Sequence, residues 1–334
     1  MSLRLPTGIE KIDRVMEGYQ TYQTLTAALD LGLFDFLDRE GPSDREKIAQ
    51  GIGINVMFSG CFLNTLVDIG ILSIQDEKYA NTPAVSDFLI GSSPFYQGDW
   101  IRYTSNGTYW WNNLVSSLKC QQPEIADFKA WPSESLIDSI AQETLRGEMQ
   151  TVTKTISRWD GFSKARSLLD LGGGHGLYAI ALCQINPRLG GVVFDKPHVI
   201  DRTSHYIKRY RMEEHLSTKG GDICTDHLGS GYDIVIMSQV LYQLRRDIEL
   251  VFDKVYDCLY PGGLLVTNHL FSSGYITEGG GVSELAKNIQ RFRHPLCDIE
   301  DFEKLLKKKG FKVIMTSDIP CVYDNSRLHL AVKE

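Results

Sequence analysis

A run of glycines between two apolar segments is where this chain is best suited to bind a nucleotide-like molecule. Residues 168–171 are typical of a short strand, Gly172-Gly173-Gly174-His175-Gly176 follows, and residues 177–185 have the composition of an apolar helix. Glycines at such a turn let the backbone approach a ligand closely, and the N-terminus of a helix favours negative charge. We therefore predict a cofactor site built from these glycines and from Asp170, which immediately precedes the turn.

Two further acidic residues follow the next predicted strands. Asp195 ends a strand about twenty residues after the glycines, where a carboxylate can accept hydrogen bonds from both hydroxyls of a ribose. Asp222, in Gly221-Asp222-Ile223, is available to an adenine amino group. Residues 174–179 also match the GxGxxA fingerprint of dinucleotide sites, so two cofactors remain open, S-adenosylmethionine and NAD. The acidity of Asp170, which would oppose a pyrophosphate, favours S-adenosylmethionine.

Short apolar strands that alternate with helices predict the fold class of the C-terminal half. The strands are expected at 167–170, 192–195, 233–238, 264–268, 312–315 and 327–332. Such alternation is typical of an α/β fold in which helices cover both faces of a mainly parallel sheet. The last two strands are too close in sequence for a crossover helix, so we expect one of them to enter antiparallel.

The N-terminal segment has a helical pattern with a hairpin at its end. Residues 9–37 are helical in pattern with a break at Gly32, and Ser43 is a plausible N-cap with Glu46 at capping-box spacing. A further helix over 55–69 stops at Gly70, and residues 71–83 predict a small hairpin. The outline is that of a winged-helix domain.

Charge argues against nucleic acid as the partner of this domain. The helix predicted at 55–69 contains no Lys or Arg, and the whole chain has a formal net charge of -7. Binding to a phosphate backbone depends on such cations. We therefore expect the apolar helix to pack against protein, either within the chain or in a homodimer, and we expect small molecules rather than nucleic acids as ligands.

A chain of 334 residues is long enough for more than one domain. We predict a winged-helix-like domain at 1–95, a helical connector at 96–160 and a cofactor-binding catalytic domain at 161–334. The connector is rich in aromatic residues, Trp110 among them, which either fill a core between the domains or line an apolar substrate pocket.

Cysteine spacing and hydropathy bear on metals and on location. The seven cysteines include no CxxC pair, and no histidines cluster at metal-ligand spacing, so we predict reduced thiols and no metal site. No apolar run approaches the length of a membrane span, and the N-terminus lacks a signal-peptide core. We expect a cytoplasmic protein with no membrane partner.

These motifs together resemble those of the small-molecule O-methyltransferases, which include plant caffeate-type enzymes and bacterial polyketide and carotenoid methyltransferases. The resemblance extends over nearly the whole chain, and its most specific element is Phe194-Asp195-Lys196-Pro197-His198-Val199-Ile200. Residues 27–34 and 79–83 resemble the dimerisation domain of the family, and 170–176, 221–223 and 261–263 resemble its catalytic domain. The resemblance implies a Rossmann-like class I methyltransferase sheet preceded by a mainly helical, winged-helix-like dimerisation domain, and a homodimer.

The resemblance also implies roles for individual residues. Gly172 and its neighbours would contact the methionine part of S-adenosylmethionine, Asp195 its ribose, and Asp222 with Ile223 its adenine. Ser238 stands where the family has a cofactor-binding Lys. Met149 matches the approximate position of a substrate-contacting Met, and core packing explains it equally well. We include Met149 and Trp110 as candidate substrate contacts.

The family pattern departs from this chain at the catalytic base. Tyr242 holds the position of the family's catalytic His, and His269 stands where a Glu normally orients that base. A neutral Tyr is a poor base at pH 7, whereas His is well matched. One hypothesis makes His269 the base and Tyr242 the group that orients the acceptor or relays its proton. In the alternative, Tyr242 is a hydrogen-bonded wall and His269 a satisfied residue at a strand end.

The predicted function is transfer of a methyl group from S-adenosylmethionine to the hydroxyl of a small aromatic or polyketide-like compound, with S-adenosylhomocysteine as the second product. Because the family His is missing, other functions remain open. One is a family member with altered chemistry, such as decarboxylation or hydroxylation, and another is a non-catalytic ligand sensor. An NAD-dependent reductase is a third alternative.

Overall fold

The computed structural model describes residues 7–105, 110–121, 132–271, 281–293, 297–322 and 325–334. The chain divides into two compact units, Met1–Asn112 and Asn113–Glu334. The division falls inside the segment 96–160 that the sequence suggests as a connector.

The first unit is mainly helical. Its helices are α1 (Glu10–Asp30), α2 (Leu33–Glu40), α3 (Arg45–Gly51), α4 (Val56–Asp68), α5 (Pro83–Phe88) and α6 (Gly98–Ser105). A two-stranded sheet of β1 (Leu72–Gln75) and β2 (Lys78–Asn81) lies between α4 and α5 in the sequence, and a short 3-10 helix at Trp110–Asn113 leads into the second unit. Helices α1, α2 and α4 supply most of a core that includes Phe34, Leu63 and Leu66.

The predicted helix break at Gly32 is confirmed. Gly32 has a φ of 68°, a left-handed conformation that ends α1 and lets α2 start in a new direction. The predicted hairpin is also confirmed, because β1 and β2 pair antiparallel across Asp76 and Glu77. Both turn residues have positive φ, at 48° and 61°, as a two-residue hairpin turn requires.

The predicted N-cap at Ser43 is wrong by one residue. The side chain of Asp44 caps α3 by accepting a hydrogen bond from the N–H of Lys47 at 2.8 Å. Ser43 instead forms an antiparallel bridge with Tyr79, in which the two backbones exchange hydrogen bonds of 3.0 and 2.9 Å. This pairing with a distant residue holds Ser43 extended, so the cap moves to the next residue.

The second unit has a seven-stranded sheet with helices on both faces. Its strands are β3 (Ser167–Leu171), β4 (Gly190–Asp195), β5 (Leu216–Gly220), β6 (Tyr232–Ser238), β7 (Leu259–His269), β8 (Phe311–Pro320) and β9 (Asn325–Lys333). Its helices are α7 (Leu114–Lys119), α8 (Glu134–Thr144), α9 (Glu148–Ile156), α10 (Leu177–Ile185), α11 (Ile200–Arg209), α12 (Leu241–Leu244), α13 (Ile248–Cys258), α14 (Val282–Arg293) and α15 (Ile299–Lys308).

The strand order is β5-β4-β3-β6-β7-β9-β8, and β9 runs antiparallel to both of its neighbours. The expectation that one of the last two strands enters antiparallel is therefore confirmed. The sequence analysis missed β5, whose residues Leu-Ser-Thr-Lys-Gly are mostly polar. An edge strand with one neighbour does not need the continuous apolar run that identifies the central strands of a parallel sheet.

Two further searches cover only the described part of the chain. No single helix there is both long and apolar enough to cross a membrane, and α3 with α4 meets that criterion only as a pair bent by 106°. The same residues contain no group of three or more His, Cys, Asp or Glu side chains that could hold a metal ion.

Candidate active site

The glycine turn leaves β3 at the centre of the sheet and is fastened to the end of β4. The backbone N–H of Gly172 donates to the carbonyl of Phe194 at 2.8 Å, and Gly176 begins α10 in the left-handed conformation. Gly172 also has a positive φ of 72°, and a Cβ there would lie 2.6 Å from the Val240 side chain. At Gly172 the turn therefore has room for backbone alone.

Asp195 is held by the same turn. Its two carboxylate oxygens accept hydrogen bonds from the N–H of Gly174 at 2.8 Å and from its neighbour Lys196 at 2.7 Å. Each oxygen keeps a lone pair after this, so the carboxylate is oriented and can still accept hydrogen bonds from a ligand. Burial raises the pKa of Asp195 above its usual value, although the two backbone hydrogen bonds oppose that shift.

The loop after β5 is held by hydrogen bonds from outside the strand. The carboxylate of Asp222 accepts a hydrogen bond from the N–H of Cys224 at 2.7 Å. Lys254 on α13 donates to the carbonyls of Ile223, Cys224 and Asp226 at 2.6, 3.0 and 2.7 Å. This lysine, which the sequence analysis did not single out, fixes the loop that presents Asp222 and Ile223.

Asp170 is buried at the start of the glycine turn. Its Oδ2 atom has no hydrogen-bond partner among the described residues. Burial, together with the nearby charge of Asp195, raises its pKa to about 7. A buried carboxylate oxygen without a partner is costly, and a ligand that brought an N–H donor to it would remove that cost.

These elements surround a cavity of about 860 Å³ along the carboxyl ends of β3, β4, β5 and β6. The predicted residues Asp170, Gly172, Gly174, Asp195, Asp222, Ile223, Ser238 and Tyr242 all line it. Gly176 does not line it and instead caps α10, where an added Cβ would lie 3.2 Å from Thr203 Cγ2. The volume lies within the range of small-molecule sites, and the position at the carboxyl edge of the sheet is where such folds bind ligands.

Tyr242 lies on α12 and is partly buried in the wall of the cavity. Burial raises the pKa of its hydroxyl to about 12, so the group is a neutral hydrogen-bond donor at neutral pH. Its neighbour Gln243 accepts a hydrogen bond from Lys196 Nζ at 3.1 Å, which connects the loop after β4 to α12.

His269, the base of the sequence hypothesis, lies elsewhere. Its ring is 2% exposed and contacts the rings of Phe271 and Phe302 with centroid distances of 6.5 and 6.4 Å. It is not among the described residues that line the cavity. Burial and the neighbouring His329 lower its pKa to about 3, so the imidazole is neutral throughout the physiological range.

Neither of the two predicted substrate contacts is among the described residues that line the cavity. Met149 on α9 is partly buried and packs against the core that contains Val152 and Ile156. The side chain of Trp110 lies outside the described residues.

Two protein-family models match this chain, and both describe O-methyltransferases. The model of the O-methyltransferase domain matches residues 126–312, more than half of the chain, and that of the O-methyltransferase dimerisation domain matches residues 14–91. This chain belongs to the O-methyltransferase family. Membership confirms the predicted enzyme class, an S-adenosylmethionine-dependent methyltransferase, and decides for it against the NAD-dependent reductase.

Relatives of this methyltransferase align over most of their length. An uncharacterized protein of Methanocaldococcus jannaschii is 26% identical, with 93% of this chain and 86% of that protein covered. The 3-hydroxy-5-methyl-1-naphthoate 3-O-methyltransferase of Streptomyces sahachiroi is 28% identical over 74% of this chain and 73% of its own. The acetylserotonin O-methyltransferase of Bos taurus is 26% identical over 95% of this chain and 96% of its own.

A solved structure confirms the fold class. Human N-acetylserotonin methyltransferase, crystallised with S-adenosylmethionine, has a TM-score of 0.77 to this chain at 21% identity, with 100% of this chain and 99% of that chain covered.

The described side chains of this methyltransferase fit S-adenosylmethionine. The unpartnered Oδ2 of Asp170 suits the amino group of the methionine part, because an ammonium donates hydrogen bonds and carries the opposite charge. The oriented carboxylate of Asp195 suits ribose hydroxyls, and a Cβ at Gly172 or Gly173 would lie only 2.6 Å from the side chain of Val240 or Val193.

One polar group in the cavity was missed by the sequence analysis. Glu148, the first residue of α9, lines the cavity and accepts hydrogen bonds from the Tyr178 hydroxyl at 3.0 Å and the Asn268 amide at 2.7 Å. Asn268 is 120 residues from Glu148 in the sequence, so no local pattern connects the two.

Proposed function

We propose that this chain methylates the hydroxyl of a small aromatic compound and works as a homodimer. The observation that carries the proposal is one cavity that joins a nucleoside-binding edge to an apolar wall. The edge is formed by Asp195, Asp222 and the glycine turn, and the wall by side chains of α8 such as Ile137 and Ile140. Flat, apolar rings are favoured by such a wall, while the polar groups fix their orientation.

Several of the related proteins act on compounds of this kind. Acetylserotonin and a hydroxynaphthoate, which two relatives methylate on oxygen, each have an aromatic ring that bears a hydroxyl, and so has L-tyrosine, which a Streptomyces lavendulae relative methylates on carbon C3. We infer an acceptor of the same class for this chain.

The residues have the following proposed roles. S-adenosylmethionine, when bound, would supply an electrophilic methyl group to the acceptor oxygen, and its sulfur would keep the electron pair of the broken C–S bond. Asp195 accepts hydrogen bonds from the ribose, Asp222 and Ile223 bound the adenine, and Asp170 pairs with the amino group. Ser238 stands at the edge of this cofactor pocket. Tyr242 donates a hydrogen bond that orients the acceptor, since its raised pKa keeps the hydroxyl protonated.

Calorimetry and product analysis test this function together. We expect S-adenosylmethionine and S-adenosylhomocysteine to bind and NAD not to bind. Incubation with acetylserotonin, L-tyrosine and hydroxynaphthoates should then give at least one methyl ether detectable by mass spectrometry. Cofactor binding with no methylated product from such a panel would favour the ligand sensor or a different chemistry instead.

The proposed homodimer rests on an exposed apolar stripe in the first unit. Ile12, Met16 and Tyr19 on α1 are 60%, 52% and 60% exposed and recur at helical spacing, so they form one face of the helix. An apolar face of this kind in a domain that matches a dimerisation family favours a second copy as its partner.

Sedimentation velocity at micromolar concentration tests the homodimer. The wild type should sediment as a dimer, and Ile12→Glu combined with Met16→Glu should give a monomer. Lys11→Glu, which changes an exposed residue of the same helix, is the matched control and should remain dimeric. A monomeric wild type would contradict the proposal.

A further inference from the structure

We propose that Glu148 is the general base that takes the hydroxyl proton of the acceptor, with Asn268 and Tyr178 as the residues that position it. The inference rests on the proposed function and names the catalytic group that the missing family His leaves open.

The position of Glu148 places it away from the nucleoside end of the cavity. Asp195 and Asp222 follow β4 and β5 on one side of the sheet, and the glycine turn follows β3 in the middle. Glu148 is tied to Asn268, which lies near the end of β7 on the other side of β3 and β6. A ligand whose nucleoside lies over β4 and β5 therefore leaves the Glu148 end of the cavity to the acceptor.

The carboxylate is held in one orientation by a chain of hydrogen bonds. Asn268 donates to Glu148 Oε1 at 2.7 Å, and its own oxygen accepts from the hydroxyl of Ser326 at 2.7 Å. Ser326 therefore determines which end of the Asn268 amide faces Glu148. The Tyr178 hydroxyl donates to the same Oε1 at 3.0 Å. A proton acceptor whose orientation is fixed in this way needs little rearrangement when the acceptor binds.

Three other titratable side chains that the sequence or the cavity suggests as bases, His175, Tyr242 and His269, are less suited to accept a proton. His175 lines the cavity, but its Nδ1 accepts the N–H of Leu177 at 3.1 Å. In the neutral ring Nε2 then carries the proton, and it lies 3.4 Å from the Thr144 hydroxyl. Tyr242 is already protonated, and His269 is packed among aromatic rings away from the cavity.

The environment of Glu148 also suits the role of general base. Burial raises its pKa above the usual value, and the hydrogen bonds from Tyr178 and Asn268 oppose that shift. The titratable groups that face it are Glu143 at the end of α8, Tyr178 on α10 and Cys321 after β8. A carboxylate with a pKa shifted toward neutrality is a better base at pH 7 than an exposed one.

The proton transfer is balanced without another reactant. The acceptor O–H bond breaks, its electron pair stays on oxygen and forms the new bond to carbon, and the proton passes to the carboxylate of Glu148. Release of the products then returns that proton to solvent.

Glu148→Gln is the variant that tests the proposal. Gln has nearly the same shape and keeps an oxygen that can accept the hydrogen bonds of Asn268 and Tyr178, but it cannot take up a proton. With a weakly acidic phenol such as acetylserotonin at pH 7, we expect kcat to fall by about 100-fold or more. The dissociation constant of S-adenosylhomocysteine should change by less than about 3-fold, which also shows that the variant is folded.

Two further measurements make the test specific to a base. With a nitrophenol that is largely ionised at pH 8, the loss caused by Glu148→Gln should shrink, because an ionised acceptor has no proton to give. Relative to the wild type, the acid limb of the kcat profile should move to higher pH in Tyr178→Phe, where a hydrogen bond to the Glu148 carboxylate is lost.

The outcomes separate this proposal from the function on which it rests. If the wild type methylates phenols and Glu148→Gln retains kcat within about 3-fold, Glu148 is not the base. If the variant binds S-adenosylmethionine much more weakly but keeps kcat at saturation, Glu148 holds the cofactor amino group and the proposal is overturned. Failure of the wild type with every phenol overturns the proposed function itself.

Discussion

The backbone N–H of Gly174 donates a hydrogen bond of 2.8 Å to the carboxylate of Asp195, so the glycine turn after β3 and the end of β4 are one connected structure. Because Asp195 fixes the turn and also faces the cavity, a change at this residue should affect both the shape of the turn and the contacts to a ribose.

Asp195→Ala should weaken the binding of S-adenosylhomocysteine by about 100-fold, since hydrogen bonds to a charged group contribute on the order of 1.5–3 kcal/mol each. Calorimetric titration measures the change. Asp201→Ala, an exposed acidic residue on α11, is the matched control for loss of one negative charge. Equal affinity in Asp195→Ala and wild type would remove the ribose assignment.

Gly172→Ala should lower the free energy of unfolding more than Gly262→Ala does. Both glycines have positive φ, 72° and 77°, so alanine strains the backbone at either one by about 1–2 kcal/mol. At Gly172 the new Cβ would also lie 2.6 Å from Val240 Cγ2, whereas nothing lies within 4 Å at Gly262. Overpacking should therefore add about 1–3 kcal/mol in Gly172→Ala alone.

Urea unfolding of the two variants gives the comparison directly, and cofactor titration gives a second readout. Gly172→Ala should also lose affinity for S-adenosylhomocysteine, and Gly262→Ala should not. Equal losses of stability would mean that Val240 moves aside without cost.

Asp170 should make the free protein less stable as pH rises. Its folded pKa of about 7 lies above the ordinary value of 3.8, so the folded state holds a proton that the unfolded state has released between these values. The stability from this group is complete below about pH 4 and is lost as pH rises through 7, by roughly 1 kcal/mol per pH unit. In Asp170→Asn the loss of stability between pH 5 and pH 8 should be smaller by this amount, and the part contributed by other buried carboxyls such as Glu143 should remain.

The measurement is the free energy of unfolding in urea at several pH values without cofactor. Glu300→Gln, at an exposed site in the first turn of α15, serves as the control. A slope in Asp170→Asn that is unchanged from the wild type would show that Asp170 ionises normally in the folded state.

His269 has the opposite pH dependence. Its folded pKa of about 3 lies below the ordinary value of 6.5, so the unfolded state binds a proton first and stability falls as pH drops from about 6.5 toward 3. His269→Phe should reduce this acid loss, because the ring it introduces resembles its neighbours Phe271 and Phe302 and does not titrate.

Turnover of His269→Phe decides between the two candidate bases. We expect kcat within about 3-fold of the wild type. A fall of about 100-fold with intact cofactor binding would instead support the hypothesis, drawn from the sequence, that His269 takes the proton.

The sequence alone predicted those features that depend on residues close together in the chain. The glycine turn, Asp195 and Gly32 are recognised because a strand, a tight turn and a helix start within a few residues impose specific residue types. The antiparallel entry of one of the last two strands followed from the short connection between them. Asp170, Asp222 and Tyr242 line the cavity as expected because parallel strands bring their carboxyl ends to the same edge.

What the sequence could not decide depends on residues that meet only after folding. β5 lacks the apolar pattern of a central strand because it lies at the edge, and the N-cap moved from Ser43 to Asp44 because Tyr79 pairs with Ser43. Glu148 and Asn268 are 120 residues apart and become neighbours only when α9 packs on the sheet. The type and spacing of residues determined the fold and the cofactor edge, while the position of a proton acceptor depends on burial and distance, which are properties of the tertiary structure alone.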